Sequence, residues 1–153
     1  MPYIRPARPE DVPTMVRFQM RMARETEGIK LDRATLTAGV RAALADPSKG
    51  TYWVAELEGR VVASLLVTPE WSDWRNATVW WIQSLYVCPE HRREGVFRAM
   101  FQHLQGLVEE SDQVAGIRLY VATENAAARR AYESLGMDGQ RYRIYEWMPG
   151  GET

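Results

Sequence analysis

The chain has a single cysteine, Cys88. One thiol excludes an internal disulfide and fits a reducing cytosol. No apolar run approaches membrane-spanning length, and the N-terminus lacks the basic-then-apolar pattern of a secretory signal. The formal net charge is only −1, which gives no long-range pull toward nucleic acid or an anionic membrane. Internal repeats, low-complexity tracts and linkers are also lacking. These absences describe a soluble cytoplasmic protein with no nucleic-acid and no membrane partner. His91 and His103 are the only histidines, and no metal is expected.

What is present is enough for one domain over residues 1–153. At 46% hydrophobic, a chain of 153 residues can bury one core. Its basic residues are uneven: 17 of 19 are arginine, and Arg92, Arg93, Arg98, Arg129 and Arg130 fall in two short segments.

Periodicity places the elements. Tyr3 to Arg5 reads as a short strand, and Asp11 as the cap of a helix carrying Met15, Phe18 and Met22 inward. The pattern breaks from Glu25. Asp32 caps a second helix with Leu36, Val40, Ala43 and Leu44 inward, which Pro47 ends. Tyr52 to Leu57 and Val61 to Thr68 are strands around a Glu58-Gly59 turn. Pro69 to Asn76 is a polar, aromatic loop, and Ala77 to Val87 a long strand stopped by Pro89. A helix follows with Phe97, Met100, Phe101, Leu104, Leu107 and Val108 on one stripe. Ile117 to Ala122 is a strand, Ala126 to Leu135 a helix and Tyr142 to Met148 a final strand.

Two segments carry chemistry. Arg92-Arg93-Glu94-Gly95-Val96-Phe97-Arg98 follows a strand and opens a helix. First-turn amides have no acceptor within a helix and the dipole is positive there, so such a junction suits phosphate. Alone, it reads more readily as an ordinary loop with surface arginines. The second segment is Asn125-Ala126-Ala127-Ala128-Arg129-Arg130-Ala131-Tyr132-Glu133-Ser134-Leu135-Gly136-Met137. Here Asn125 can cap a helix, Gly136 can end it, and Tyr132 shares a face with Ala128, Ala131 and Leu135. By periodicity alone Tyr132 is a core residue.

In this order and context the two segments resemble the GNAT superfamily of acyl-coenzyme A-dependent N-acyltransferases. Arg92, Gly95 and Phe97 take the places of that family's Gln/Arg-x-x-Gly-x-Gly/Ala signature, with Phe97 a departure from the small residue expected. Asn125, Ala128, Tyr132, Gly136 and Met137 match the second signature in spacing. The resemblance runs from Ile4 to about Met148. It implies an α/β fold with a mixed, mostly antiparallel central sheet, a splayed pair of strands and helices on both faces.

It further implies that acetyl-coenzyme A is the co-substrate. Its phosphates would meet Arg92, Arg93, Glu94, Gly95, Val96, Phe97 and Arg98, with the Phe97 ring turned inward. Its pantetheine arm would meet backbone groups of Leu85, Tyr86 and Val87 together with Asn125 and Ala128, and its sulfur would lie beside Tyr132.

The implied reaction is direct attack of a primary amine, on a small molecule or a peptide, on the thioester. Freeing an amine of pKa ~10.4 from its proton at pH 7 costs about 4–5 kcal/mol, so a positioned base matters. Many relatives use a glutamate on the splayed strand; this chain has Gln83, which can orient a water but cannot take a proton. Glu56, Glu70, Asp73 and Glu124 are other candidates. Tyr132 is expected to steady developing charge on sulfur. Cys88, a lone thiol, is expected to be inert.

An alternative is an acyl-coenzyme A-binding regulatory module of the same fold with little turnover. Glu27, Glu70, Trp71 and Asp73 are candidates for holding a cationic amine, although Trp71 and Trp74 read equally well as a cover for the sheet. Family habit and six tryptophans suggest a homodimer.

Overall fold

The structure, a computed structural model, describes residues 1–151; the last two positions of the expected 1–153 domain lie outside the described residues. Its contacts gather the chain into two units, Met1–Leu119 and Tyr120–Thr153.

The first unit holds the sheet. Strand β1 (Tyr3–Pro6) leads through a 3-10 turn at Pro9–Asp11 into α1 (Val12–Glu27), and α2 (Arg33–Ala45) follows. Then come β2 (Thr51–Leu57), β3 (Arg60–Ser72), β4 (Ala77–Val87), α3 (Val96–Glu110) and β5 (Val114–Leu119). The strands lie in the order β1-β2-β3-β4-β5. Pairing is antiparallel from β1 through β4, and β5 is parallel to β4.

Helices cover both faces. Strand β2 shows why, because its side chains alternate. Tyr52 and Val54 join Val12, Met15 and Val16 of α1 and Val40 and Ala43 of α2 in one cluster. Trp53, between them, turns its ring to His103 of α3 at 5.2 Å. A second cluster, Phe18, Tyr86 and Cys88, sits under α1. Helix α3 buries Val96, Met100, Phe101 and Leu104. Its stripe therefore begins at Val96, one residue before the expected Phe97, which is half-buried with its ring 6.1 Å from Phe101.

Local chemistry explains most boundaries. Glu58 and Gly59 both have positive φ, 51° and 76°, as a two-residue hairpin requires. Asp32 caps α2 by accepting from the Thr35 amide at 3.0 Å. Gly28 ends α1 at φ 64°, with its amide donating back to Ala23 and Arg24. The helix thus runs two residues past the expected break at Glu25.

Other expectations for this unit fail. The Asp11 side chain does not cap α1; it pairs with buried Arg5 and accepts from the Arg8 amide at 2.7 Å. A buried guanidinium needs a counter-charge more than a helix end needs a cap. The segment from Pro69 is not a loop, because β3 continues to Ser72 in register with β4, Pro69 opposite Trp80 and Ser72 opposite Ala77. The β2 ladder stops at Thr51 opposite Val67, so Pro69 stands where β3 has an open edge and its missing N–H costs nothing. The strand expected at 117–122 is shifted, to Val114–Leu119.

In the second unit, α4 (Ala126–Ser134) is capped by Asn125, whose side chain accepts from the Ala128 amide at 3.1 Å. Gly136 follows at φ 89°. Residues 142–148, expected as a strand, have no strand assignment. A strand needs a ladder, and the described residues of this unit include no other strand to supply one.

Candidate active site

Strand β4 is the element from which a site can be built. Ser64 of β3 stands opposite Tyr86 and Leu66 opposite Gln83, so two steps on β3 are matched by three on β4. Gln83 and Tyr86 therefore face the same side although three residues apart, which only a bulge permits. The bulge falls at Ser84 and Leu85, which are without a Cα partner on β3. Ser84 has φ 55°, a left-handed conformation uncommon outside glycine and asparagine. Its carbonyl accepts from Gln19 Nε2 of α1 at 2.8 Å.

The other edge of β4 changes at the same place. The β4–β5 ladder runs from Thr78 to Ile82. Beyond it β4 continues to Val87, and in this unit that stretch pairs with β3 alone. Backbone groups of residues 83–87 thus stand on a strand whose second side is not used by β5.

The loop after β4 leads to the N-terminus of α3. Arg93 has φ 66° and Gly95 φ 82°. A Cβ on Gly95 would meet open space, so the glycine is required by its dihedral rather than by crowding. No side chain caps α3, and its first internal bond runs from the Ala99 amide to the Gly95 carbonyl at 3.0 Å. The amides of Val96 and Arg98 precede that bond and lie at the positive end of the helix dipole.

Arg92 is held elsewhere. Its Nε donates to the Val87 carbonyl and its NH2 to Glu25 Oε2, both at 2.9 Å, and its guanidinium lies 5.3 Å from the Tyr86 ring centre. Tyr86 donates to Glu25 Oε1 at 3.4 Å. Glu94 pairs with His91 Nδ1 at 3.1 Å. Arg93 and Arg98 are exposed.

Gln83 donates from Nε2 to Thr68 Oγ1 at 2.6 Å, which leaves its amide oxygen as the acceptor. The candidate bases are mostly engaged. Glu70 Oε1 accepts from Arg118 at 2.7 Å and from the Trp81 indole at 3.1 Å. Glu56 pairs with Arg5 at 3.2 Å. Asp73 accepts from the Trp74 amide in the β3–β4 hairpin, and Glu124 accepts from Thr123 at 2.9 Å.

The four acceptor candidates are not one cluster. Glu27 ends α1, whereas Trp71 and Asp73 stand at the β3–β4 hairpin. Trp71 is opposite Thr78, six residues along β4 from Ser84, which is roughly 20 Å at strand rise. A cavity of about 440 Å3 lies at that end, between Trp71, Asn76, Ala77, Thr78, Asp112 and Gln113.

Two further groups are described by their protons. Burial pushes the Tyr132 phenol up from its ordinary value, so at neutral pH it keeps its proton. Burial, then Glu90, pushes the Cys88 thiol up and keeps thiolate scarce. Among the described residues no three His, Cys, Asp or Glu side chains group as a metal site, and no helix is long and apolar enough to cross a membrane.

Sequence reasoning missed Gln19, Glu25 and Ser84. Gln19 stands four residues after Met15 and three before Met22, on the buried stripe of α1, so a polar residue on that stripe was the signal available. The bulge has no glycine or asparagine to announce it.

Comparison with known proteins gives this arrangement its class. The sequence model of the Acetyltransferase (GNAT) family matches residues 13–137. A possible acetyltransferase from Clostridium difficile 630 is 43% identical, over 97% of each chain, with a TM-score of 0.89. The chain belongs to the GNAT acetyltransferase family and is a transferase enzyme. More distant structures share the fold. A predicted acetyltransferase from Clostridium acetobutylicum, solved with acetyl-CoA, is 21% identical over 95% of this chain and 96% of the other, with a TM-score of 0.73. The aminoglycoside 6'-N-acetyltransferase AAC(6')-IG from Acinetobacter haemolyticus is 16% identical over 95% and 97%, with a TM-score of 0.75. No curated protein matches the sequence at a significant level.

Proposed function

We propose that residues 1–153 act as one cytoplasmic domain that moves an acetyl group from acetyl-CoA to a primary amine, by direct attack within a ternary complex. The observation that carries this reading is the pairing of β4. At one point the strand bulges at Ser84 and Leu85 and loses its β5 ladder, and an uncapped helix N-terminus follows within a dozen residues. A pantetheine arm carries amides and can pair with Leu85, Tyr86 and Val87 as a strand would. The pyrophosphate then belongs at Arg93, Glu94, Gly95, Val96, Phe97 and Arg98. Asn125, Ala128 and Tyr132 complete the cofactor set.

Charge develops on the thioester oxygen as the amine attacks, and a bulge amide aimed at it supplies a fixed donor. Leu85 N–H is the candidate. Tyr132, protonated at neutral pH, steadies the leaving thiolate by a hydrogen bond. Gln83 offers its amide oxygen to a water that relays the amine proton to bulk solvent. Arg92 serves this site by shaping the loop, since its side chain is spent on Val87 and Glu25.

The acceptor is proposed to be cationic, drawn by Glu27 at the end of α1. Glu70 is already ion-paired. Trp71 and Asp73, far along β4, would serve only an acceptor long enough to reach the hairpin, such as a polyamine or a peptide. A homodimer is also proposed, and light scattering at micromolar concentration would detect it as twice 17.6 kDa.

A second reading is a module that binds acyl-CoA with little turnover. It is favoured by Gln83 standing where a carboxylate would take the proton and by the ion pairs of Glu56 and Glu70. One experiment tests the site. Gly95→Asp forces a side chain onto φ 82° and brings a negative charge to the helix N-terminus, and it should weaken CoA binding by about a hundredfold or more. Unchanged affinity by calorimetry in a folded variant defeats the loop assignment. Turnover of an amine panel by the wild type separates the enzyme from the module.

A further inference from the structure

We infer that Gln19, a buried glutamine of α1, is the positioning residue that aims the Leu85 amide at the acyl carbonyl. The inference rests on the proposed acetyl-CoA site and adds a residue to it.

The geometry is that of one peptide group. Gln19 is 5% exposed, and its Nε2 donates to the Ser84 carbonyl at 2.8 Å. No peptide bond in the described chain is cis. In a trans peptide the C=O and the following N–H point in opposite directions. Gln19 draws the Ser84 oxygen toward α1, so the Leu85 N–H of the same peptide points away from α1. It leaves the strand on the side of the sheet opposite that helix.

A regular strand would not present an amide this way. In a ladder, each N–H lies in the plane of the sheet and is shared with a neighbour. Here Ser84 and Leu85 fall at the register shift, without a Cα partner on β3, and the β5 ladder has already ended at Ile82. Ser84 at φ 55° rotates the peptide out of register, a conformation that persists only where surroundings hold it. The contact from Gln19, 65 residues away in sequence, is such a hold. Beside it Phe18, the residue preceding Gln19, packs on Tyr86, two residues past Ser84, with ring centres 5.1 Å apart.

A packing role and a positioning role differ in what they touch. Coenzyme A has no acyl carbonyl, whereas the ketone isostere of acetyl-CoA, with methylene in place of sulfur, has one and cannot transfer it. If Gln19 aims the Leu85 amide, Gln19→Met should leave CoA affinity within about twofold of wild type. It should abolish the isostere's extra affinity over CoA and lower kcat by about tenfold to a hundredfold, less than the loss of an oxyanion donor outright. Gln19→Asn, one methylene too short for the 2.8 Å contact, should behave alike and carries the test if the methionine variant does not fold.

The outcomes separate cleanly. Wild-type protein that binds no CoA removes the underlying site reading. CoA binding with unchanged kcat and an unchanged preference for the isostere overturns the role of Gln19 alone. Equal loss of CoA and isostere affinity also overturns it, because that marks general damage to the fold.

Discussion

Asp11→Asn should destabilise the protein by about 3 kcal/mol, because it removes one partner of a buried ion pair. Arg5 and Asp11 are 5% and 8% exposed. Arg5 donates to both carboxylate oxygens, at 2.8 and 3.1 Å, and the Arg8 amide donates to Oδ2 at 2.7 Å. Asparagine keeps one acceptor but no charge. The guanidinium would then be balanced only by Glu56, 3.2 Å away and more exposed. Breaking a buried pair costs about 3–5 kcal/mol, and the remaining carboxylate sets the expectation at the lower end. At ~2–4 °C per kcal/mol for a chain of this size, the melting temperature should fall by roughly 6–12 °C.

The pH dependence gives a second check. Burial raises the Asp11 pKa, but the hydrogen bonds from Arg5 and Arg8 and the charge of Arg5 outweigh it, and the net value is lowered. A depressed folded pKa contributes stability above the unfolded value, ~3.9, that is lost as pH falls through the folded one. The gap between wild type and variant should therefore be widest above about pH 4 and narrow below it. Urea denaturation across pH 3 to 7 measures both. A loss under about 1 kcal/mol, the size of a surface pair, or a gap that stays constant into acid, would refute the reasoning.

Two further predictions concern single hydroxyls. Tyr132→Phe should lower kcat at least tenfold while changing CoA affinity little, and unchanged turnover at saturating substrate would make Tyr132 a packing residue. Ser64→Ala should be neutral or stabilising by up to about 1 kcal/mol, since the Ser64 hydroxyl is buried without a hydrogen-bond partner among the described residues; a marked drop in melting temperature would show that the hydroxyl is in use.

Where local chemistry decides, the chain could be read directly. Asp32, Asn125 and the Glu58-Gly59 turn mark their boundaries by side-chain type, and the stripe of α1 follows from a 3.6-residue period. The loop before Val96 was visible as glycine and arginine after a strand. What could not be read depends on partners distant in sequence. Asp11 looks like a cap until Arg5 is seen to need it. Pro69 looks like a strand end until β3 is seen to have an open edge there. The bulge at Ser84 is fixed by a glutamine on α1, and no residue near it is unusual. The helix seemed to end at Glu25, yet Glu25 meets both Tyr86 and Arg92.

That meeting has a mechanical consequence. One guanidinium grips a strand carbonyl, a helix carboxylate and an aromatic face, three contacts that a planar fork can make together and a lysine ammonium cannot. The end of β4, the turn at Arg92 and the last turn of α1 are thereby clamped into one lever. Gly28, at φ 64°, is the joint just beyond it. A push on the loop ahead of α3 is carried through that clamp to the chain leaving α1, where Glu27 stands.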